Sequence, residues 1–318
     1  MTSYEDEIGS VLRSIRKACG FSQVELSRRS GIHEDTLRRI ENAFVIPKHE
    51  TLVVLAEVLK IDVGMIFILA NRNKSITHRL ELITETILDN NPASYEKEVE
   101  KLEDLLEEQI TTNIVLSNED IKKTKLYISA SRAFLNNHGD ELIKSVDLLE
   151  RMLFKQNASR IDLDSLKRLK TTYLDLMILI LYGSILGSLN QIDKSTAIFE
   201  FCYKKGKALK LDSLIYTKMR LKLMYNLAYN YHIYDWHEKV IKITREGIAL
   251  AQKNHLMYHL SQLFYRKGIA EYNLDNNEYL SSLKKSLAIF DVYEQIELKE
   301  KYIEITKDVY GIDMSLLG

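Results

Sequence analysis

Arg38 and Arg39 stand close to Glu34 and Asp35 in the segment Phe21 to Asn42, FSQVELSRRSGIHEDTLRRIEN, a combination suited to reading the edges of base pairs. An arginine fork matches the two acceptors of guanine, a carboxylate accepts from the amine of cytosine, and a side-chain amide bonds a phosphate oxygen. Arg39 suits guanine, Glu34 or Asp35 suits cytosine, and Gln23 suits the phosphate. His33 and Thr36 are expected on the same surface. Such contacts require a helix that turns one side outward, and the segment supplies it. Gln23 to Ser30 is a short helix with apolar Val24 and Leu26, Gly31 is a turn, and Leu37 and Ile40 give His33 to Glu41 a buried stripe at helical spacing. An arrangement of this kind places the start of its second helix in the major groove of duplex DNA.

Beyond that segment, Ile8 to Phe67 resembles a phage-repressor-type (XRE/Cro) helix-turn-helix domain. The motifs are LRSIRKACGFSQVELS, the turn at Gly31, RIEN, P-x-x-x-T-L-x-x-L-A and a last short helix ending in Ile66 and Phe67. The resemblance implies that Arg16 of the first helix pairs with Glu41 and pins the second helix of the motif. It departs at Ala43, where such domains usually carry glycine. A left-handed residue is costly without glycine, so Asn42 is expected to take that conformation.

The composition limits the grip on DNA. The 318 residues are 46% hydrophobic, enough for a sizeable core and more than one unit, and the formal charge is only -1. Residues 1–70 hold nine Lys and Arg against ten Asp and Glu, so no broad basic field is present. Affinity must then come from paired half-sites read by a dimer. The two cysteines, Cys19 and Cys202, lack metal-ligand spacing and suit a reduced cytoplasm. Cys19 is expected on the buried face of Ile8, Leu12 and Ile15. The acidic start MTSYEDEIG argues against a secretory signal, and the run Leu176 to Ile192 is short for a membrane span and reads as a buried helix.

After Pro92 no proline interrupts the chain, and every local signal is helical. Pro92 falls between a helix expected at Ile76 to Asp89 and an acidic one at Ser94 to Gln109, which makes residues 71–93 a helical linker and hinge. The segments Leu186 to Leu209, Leu227 to Leu250 and Gly268 to Ile289 then repeat one plan: a small residue in an apolar helix, a turn aspartate (Asp193, Asp235 or Asp275), and a second helix. The aspartates recur about every 40 residues, the period of a helix-pair solenoid. A fainter unit covers Leu126 to Phe154, turning at Asn137 to Asp140. The repeats resemble degenerate tetratricopeptide repeats, with Ala228 at the small-residue position and Leu227 and Tyr231 where the repeat wants Leu and Tyr.

The expected fold class is therefore all-α: a five-helix helix-turn-helix domain at residues 1–70, the linker at 71–93, and a right-handed solenoid of tetratricopeptide-like helix pairs at 94–318. This organisation is similar to the Rgg/PlcR/PrgX group, peptide-pheromone-responsive transcription regulators of Gram-positive bacteria. The resemblance implies a homodimer held through the repeats, a double-stranded DNA operator, and a short signalling peptide on the concave face that changes how the two DNA-binding domains are placed.

The helix expected to line that face is Tyr216 to Tyr234, YTKMRLKLMYNLAYNYHIY, where Asn226 and Asn230 lie four apart with Lys222, Tyr225 and Tyr229 around them. The resemblance makes Asn226 the contact to the peptide main chain and Asn230 a weaker one. Either amide can instead bridge neighbouring repeats. Tyr265 and Arg266, one repeat later, offer an aromatic wall and a carboxylate partner. A phosphate loop, an HExxH run and a serine elbow are all missing from the sequence, so neither an enzyme nor a cofactor is expected. His232 and His237 read as solvated turn residues and not as a metal site. The alternative function is a phage- or plasmid-type repressor whose repeats bind a protein antagonist.

Overall fold

The computed structural model describes residues 4–88, 92–112, 118–136, 139–154, 172–208 and 214–317, and among them all regular structure is helical. The chain divides into two compact units, Met1–Glu141 with Leu211–Ile215, and Leu142–Lys210 with Tyr216–Gly318.

In the first unit α1 (Tyr4–Ala18), α2 (Gln23–Ser30), α3 (Glu34–Glu41), α4 (His49–Leu59) and the start of α5 (Val63–Leu88) enclose one core. Ile8, Val11, Leu12 and Ile15 face inward from α1 and meet Leu26, Leu37, Ile40, Leu55 and Ile66 from the other four helices. The spacing within α1 is that of one helical face, and each fully buried Leu or Ile contributes roughly 1.5 to 3 kcal/mol. Ser22 caps α2 by accepting from the Glu25 N–H at 3.0 Å, and Gly31 ends it in the left-handed conformation (φ 71°) with its N–H on the Ser27 carbonyl at 2.9 Å. Pro47 is buried just ahead of α4, two residues before its first turn.

Two local expectations change. Cys19 is exposed, because α1 stops at Ala18 and Gly20 turns the chain (φ 75°) before the helical face reaches it. Ala43, and not Asn42, takes the left-handed conformation at φ 58°. The N–H of Ala43 reaches the Ile40 carbonyl at 3.0 Å and that of Phe44 the Arg39 carbonyl at 2.8 Å, a helix end that fixes the left-handed site at residue 43 whatever occupies it.

No glycine or proline follows Gly64 before Leu88, and α5 accordingly runs unbroken across residue 70 and through most of the segment read as linker. α6 (Pro92–Thr112) and α7 (Asn118–Asn136) complete the unit. The buried Tyr95 hydroxyl donates to the Ile128 carbonyl at 2.6 Å, and Thr84 meets the Tyr127 hydroxyl at 2.9 Å, so residue 94 lies inside a packed body.

The second unit holds α8 (Gly139–Phe154) from Leu142 onward, α9 (Tyr173–Ser188), α10 (Ile192–Ala208), α11 (Leu214–Ile233) from Tyr216, α12 (His237–Lys253), α13 (Leu260–Asn273), α14 (Tyr279–Val292) and α15 (Ile296–Tyr310). Three helix pairs share one turn. The N–H groups of Gln191, Trp236 and Asn276 reach back to the carbonyls of Leu186, Tyr231 and Glu271 at 2.8, 3.0 and 2.9 Å, each after a left-handed residue, Asn190, Asp235 or Asp275. Asp193 departs from the expected turn position: it lies in the first turn of α10 and accepts from the Tyr234 hydroxyl. Small residues allow the helices of a pair to close. A methyl on Gly183 would meet the Phe199 ring at 2.6 Å, one on Gly268 would meet Leu283 at 2.8 Å, and Ala228 is fully buried. The apolar α9 is buried along most of its length and capped by Thr172 and Asp175. Among the described residues no helix is long and apolar enough to cross a membrane. The turn at 137–138 lies outside the described residues.

A left-handed alanine costs about 1 kcal/mol that glycine avoids, partly offset by the larger freedom of glycine in the unfolded chain. Ala43→Gly is expected to stabilise the first unit by roughly 0.5 to 1 kcal/mol, read as a rise in its thermal midpoint; a fall would place the strain elsewhere.

Candidate functional site

The outward face of α3 is built on a buried ion pair. Arg16 Nε donates to Glu41 Oε1 at 2.5 Å and Nη2 to Oε2 at 2.8 Å, with both residues 7% exposed, while Nη1 donates to the Phe21 carbonyl at 2.7 Å. The bonds to Glu41 raise the Arg16 pKa above its ordinary value. Gln23 Nε2 adds a bond to Glu41 Oε2 at 2.8 Å. Gln23 thus braces the pair from the start of α2, and only its second amide N–H is left for the phosphate contact expected of it. Gly9 lets α1 approach the end of α3, since a methyl there would meet the Ile40 carbonyl oxygen at 2.2 Å.

With its inner side fixed, α3 exposes His33, Glu34, Asp35, Thr36, Arg38 and Arg39 together. They do not all stand free. His33 caps the helix, its Nδ1 accepting from the Asp35 N–H at 3.2 Å, and Arg38 is drawn onto Asp35 at 2.5 Å. Arg39 is exposed and has no ion-pair partner among the described residues. It is the fork on this helix ready to meet a base edge or a phosphate.

In the repeat unit the expected residues separate into two groups. Asn230 is 2% exposed, and its Nδ2 donates at 3.0 Å to Ser195 Oγ, which itself donates to the Gly183 carbonyl at 2.8 Å. It joins α11 to α10 and α9, so the ligand contact expected of it gives way to an internal bridge. Tyr265 is 3% exposed and accepts from Thr306 of α15, which removes it from the surface as well. Asn226 is half-buried with only a long 3.4 Å bond from Nδ2 to Ser184, while Lys222 and Tyr225 are half-buried and Tyr229 is exposed. Lys222 Nζ lies 5.6 Å from the centre of the Tyr225 ring, and the Arg266 guanidinium lies 4.9 Å from that of Tyr229 and 5.7 Å from that of Tyr265. Burial holds the Lys222 ammonium below the usual lysine pKa.

Several neighbours escaped the sequence reading. The His259 ring stacks on Tyr225 at 4.6 Å and meets Tyr258 edge-on at 4.3 Å, and Tyr302 meets Tyr265 edge-on at 4.4 Å. Tyr302, Thr306 and Tyr310 recur every four residues on α15, the one pattern that marks them in the sequence. His232 and His237 are not solvated: the His232 Nε2 lies 2.6 Å from the Tyr310 hydroxyl, and both rings are half-buried, 6.0 Å apart. Cys202 is buried and its thiol pKa is pushed up, so it is inert. Among the described residues no group of three or more His, Cys, Asp or Glu is placed to hold a metal ion.

Residues 12–66 match the Helix-turn-helix family. This part of the chain is a helix-turn-helix domain. Over nearly the whole chain the fold is shared with Bacillus thuringiensis PlcR in its apo form, at a TM-score of 0.53 and 18% identity, covering 93% of this chain and 98% of that one. It is shared as well with ComR from S. thermophilus, solved in complex with DNA and its signalling peptide ComS, at a TM-score of 0.50 and 18% identity, covering 96% and 100%. Both likenesses show a helix-turn-helix domain followed by helical repeats. No curated protein sequence matches the chain.

Removing one partner of the buried pair strands the other. Arg16→Ala is expected to cost the helix-turn-helix domain about 3 to 5 kcal/mol in calorimetry, whereas the double change Arg16→Met, Glu41→Leu should recover most of it. Equal losses in single and double variants would count against a stranded charge. A pH dependence follows from the histidines. Burial, with the charge of Arg266 second, pushes His232 down to about 4, and burial, with Lys222 second, pushes His259 down to about 3. The unfolded chain therefore binds more protons between these values and the ordinary imidazole value of about 6.5, so stability falls as the pH drops through that window. Urea unfolding of wild type and His232→Gln at pH 7.5 and 5 should show a shallower loss in the variant; parallel losses would assign the titration to other groups.

Proposed function

We propose that the chain is a DNA-binding transcription regulator controlled by a short signalling peptide. It acts as a homodimer in the cytoplasm, with no enzymatic step. The observation that carries the DNA half is the unpaired Arg39 on a helix whose opposite side is locked by Arg16 and Glu41. Arg39 takes guanine, Glu34 faces a cytosine amine, and Thr36 and the second N–H of Gln23 lie towards the backbone. His33 holds the helix start, and Arg38 and Asp35 restrain each other until DNA separates them. These contacts belong to residues 1–70.

The peptide half rests on the surface formed by Lys222, Tyr225, Asn226, Tyr229 and Arg266, in which an amide that both donates and accepts stands among aromatic rings. The fold shared with ComR, a protein solved with DNA and a signalling peptide, supports the same reading. Val292, Ile296 and Val309, at the end of α14 and on α15, are 73, 63 and 65% exposed. This supports docking of a second copy there and, as a second reading, of a protein antagonist.

Arg39→Ala should weaken binding to an operator selected from random duplexes by about 1 to 3 kcal/mol, with specificity relaxed at one base position of each half-site. Unchanged affinity would assign the reading to another surface. Mass spectrometry of the purified chain should find a co-purifying short peptide, absent from an Asn226→Ala variant whose circular dichroism is unchanged.

A further inference from the structure

Some cations in the repeat unit are answered by an acid. Lys207 lies 2.7 Å from Glu246, and Lys267 lies 2.5 Å from the fully buried Glu271. Arg266, next in sequence to Lys267, points to the other side of α13 and has no such partner among the described residues. Its guanidinium packs between the Tyr229 and Tyr265 rings, and its Nε is buried without a hydrogen bond. Lys222 on α11 is equally without an ion-pair partner, lying over Tyr225 with its ammonium partly desolvated.

The two cations belong to one surface. Lys222 and Tyr225 share one face of α11 with Tyr229, whose ring Arg266 covers, and Tyr265, which also flanks Arg266, stands edge-on to Tyr302. The other titratable groups against this surface are tyrosines and the histidines His259 and His232, which burial keeps neutral near pH 7. A carboxylate that acts on His232 is Asp235, whose side chain is 86% exposed at the turn beside His237. Desolvated cations without a counter-charge are costly, and the cost is recovered when an anion enters. Asn226 lies one helical turn from Lys222 on the same face, where its amide can hold a peptide main chain. A carboxylate at the C-terminus is joined directly to that main chain, whereas one on a side chain is set apart from it by at least one methylene.

We propose that Lys222 and Arg266 together bind the free C-terminal carboxylate of the peptide. The proposal rests on the peptide-receptor reading above. Lys222 supplies a compact charge, Arg266 a planar fork held by stacking, and the tyrosines exclude water from both.

The test uses the full chain and a pool of short apolar peptides, each made as the free acid and as the C-terminal amide, with a third set of amides carrying one aspartate. The free acids should bind at least about tenfold more tightly than their amides, as expected for loss of a charge-assisted bond. The preference should vanish in Lys222→Met and Arg266→Met, and the Lys222 ammonium, followed by NMR, should titrate at higher pH once an acid is bound. Equal binding of acids and plain amides by wild type overturns the carboxylate site and leaves the receptor standing. Aspartate-bearing amides that match the free acids move the site to a side-chain carboxylate and overturn the C-terminal assignment. Failure of every set overturns both this proposal and the receptor reading.

Discussion

A guanidinium and a carboxylate taken out of water together are costly unless they meet with good geometry, and Arg16 and Glu41 meet through two bonds while being almost fully buried. The reading surface of the helix-turn-helix domain depends on this pair. It fixes the end of α3 against α1, Gln23 adds a third element to the same carboxylate, and the Phe21 carbonyl takes the remaining guanidinium donor. The apolar stripe of Leu37 and Ile40 can slide or rotate at small cost, because packing alone is not directional. A two-point bond has one geometry, and it determines which way Arg39 faces.

The repeat unit uses another constraint. Its helix pairs approach closely at Gly183, Ala228 and Gly268, and each turn spends one left-handed residue to reverse the chain. Close approach leaves little room for water, so polar groups in the interior are bonded across helices: Asn230 to Ser195, Tyr182 to Glu150, and Lys267 and Glu271 to Ser282. Lys222 and Arg266, partly buried against tyrosine rings, have no ion-pair partner among the described residues. The buried Nε of Arg266 is among the few buried polar atoms of the described residues left without a hydrogen bond, and that is the ground for the ligand site proposed above.

Much of this was legible in the chain itself. The motif from Phe21 to Asn42, the buried faces of α1 and α3 and the recurrence of helix pairs follow from residue spacing, since 3.6 residues per turn fixes which side chains share a face. The turn glycine at Gly31 and the turns at Asp235 and Asp275 were equally readable, because left-handed backbone selects few residue types. Where local chemistry was ambiguous, sequence fell short. Ala43 adopts a conformation its own preference opposes, because the hydrogen bonds of the helix end outweigh a penalty of about 1 kcal/mol. Cys19 keeps the spacing of a buried face and loses it where the helix ends.

Periodicity by itself determined the fold class, the helix-turn-helix motif and the face of α11 that carries Lys222, Tyr225, Asn226 and Tyr229. Only the tertiary structure decided what each polar side chain on that face does. Asn226 and Asn230 are four residues apart and indistinguishable by spacing, yet one meets a distant serine at 3.4 Å and the other is sealed against Ser195. Arg266 and Lys267 are adjacent, yet one stacks on tyrosines and the other enters a buried ion pair. Helical geometry sets direction, but the group that waits there comes from a helix tens of residues away, and contacts at that separation are specified by packing.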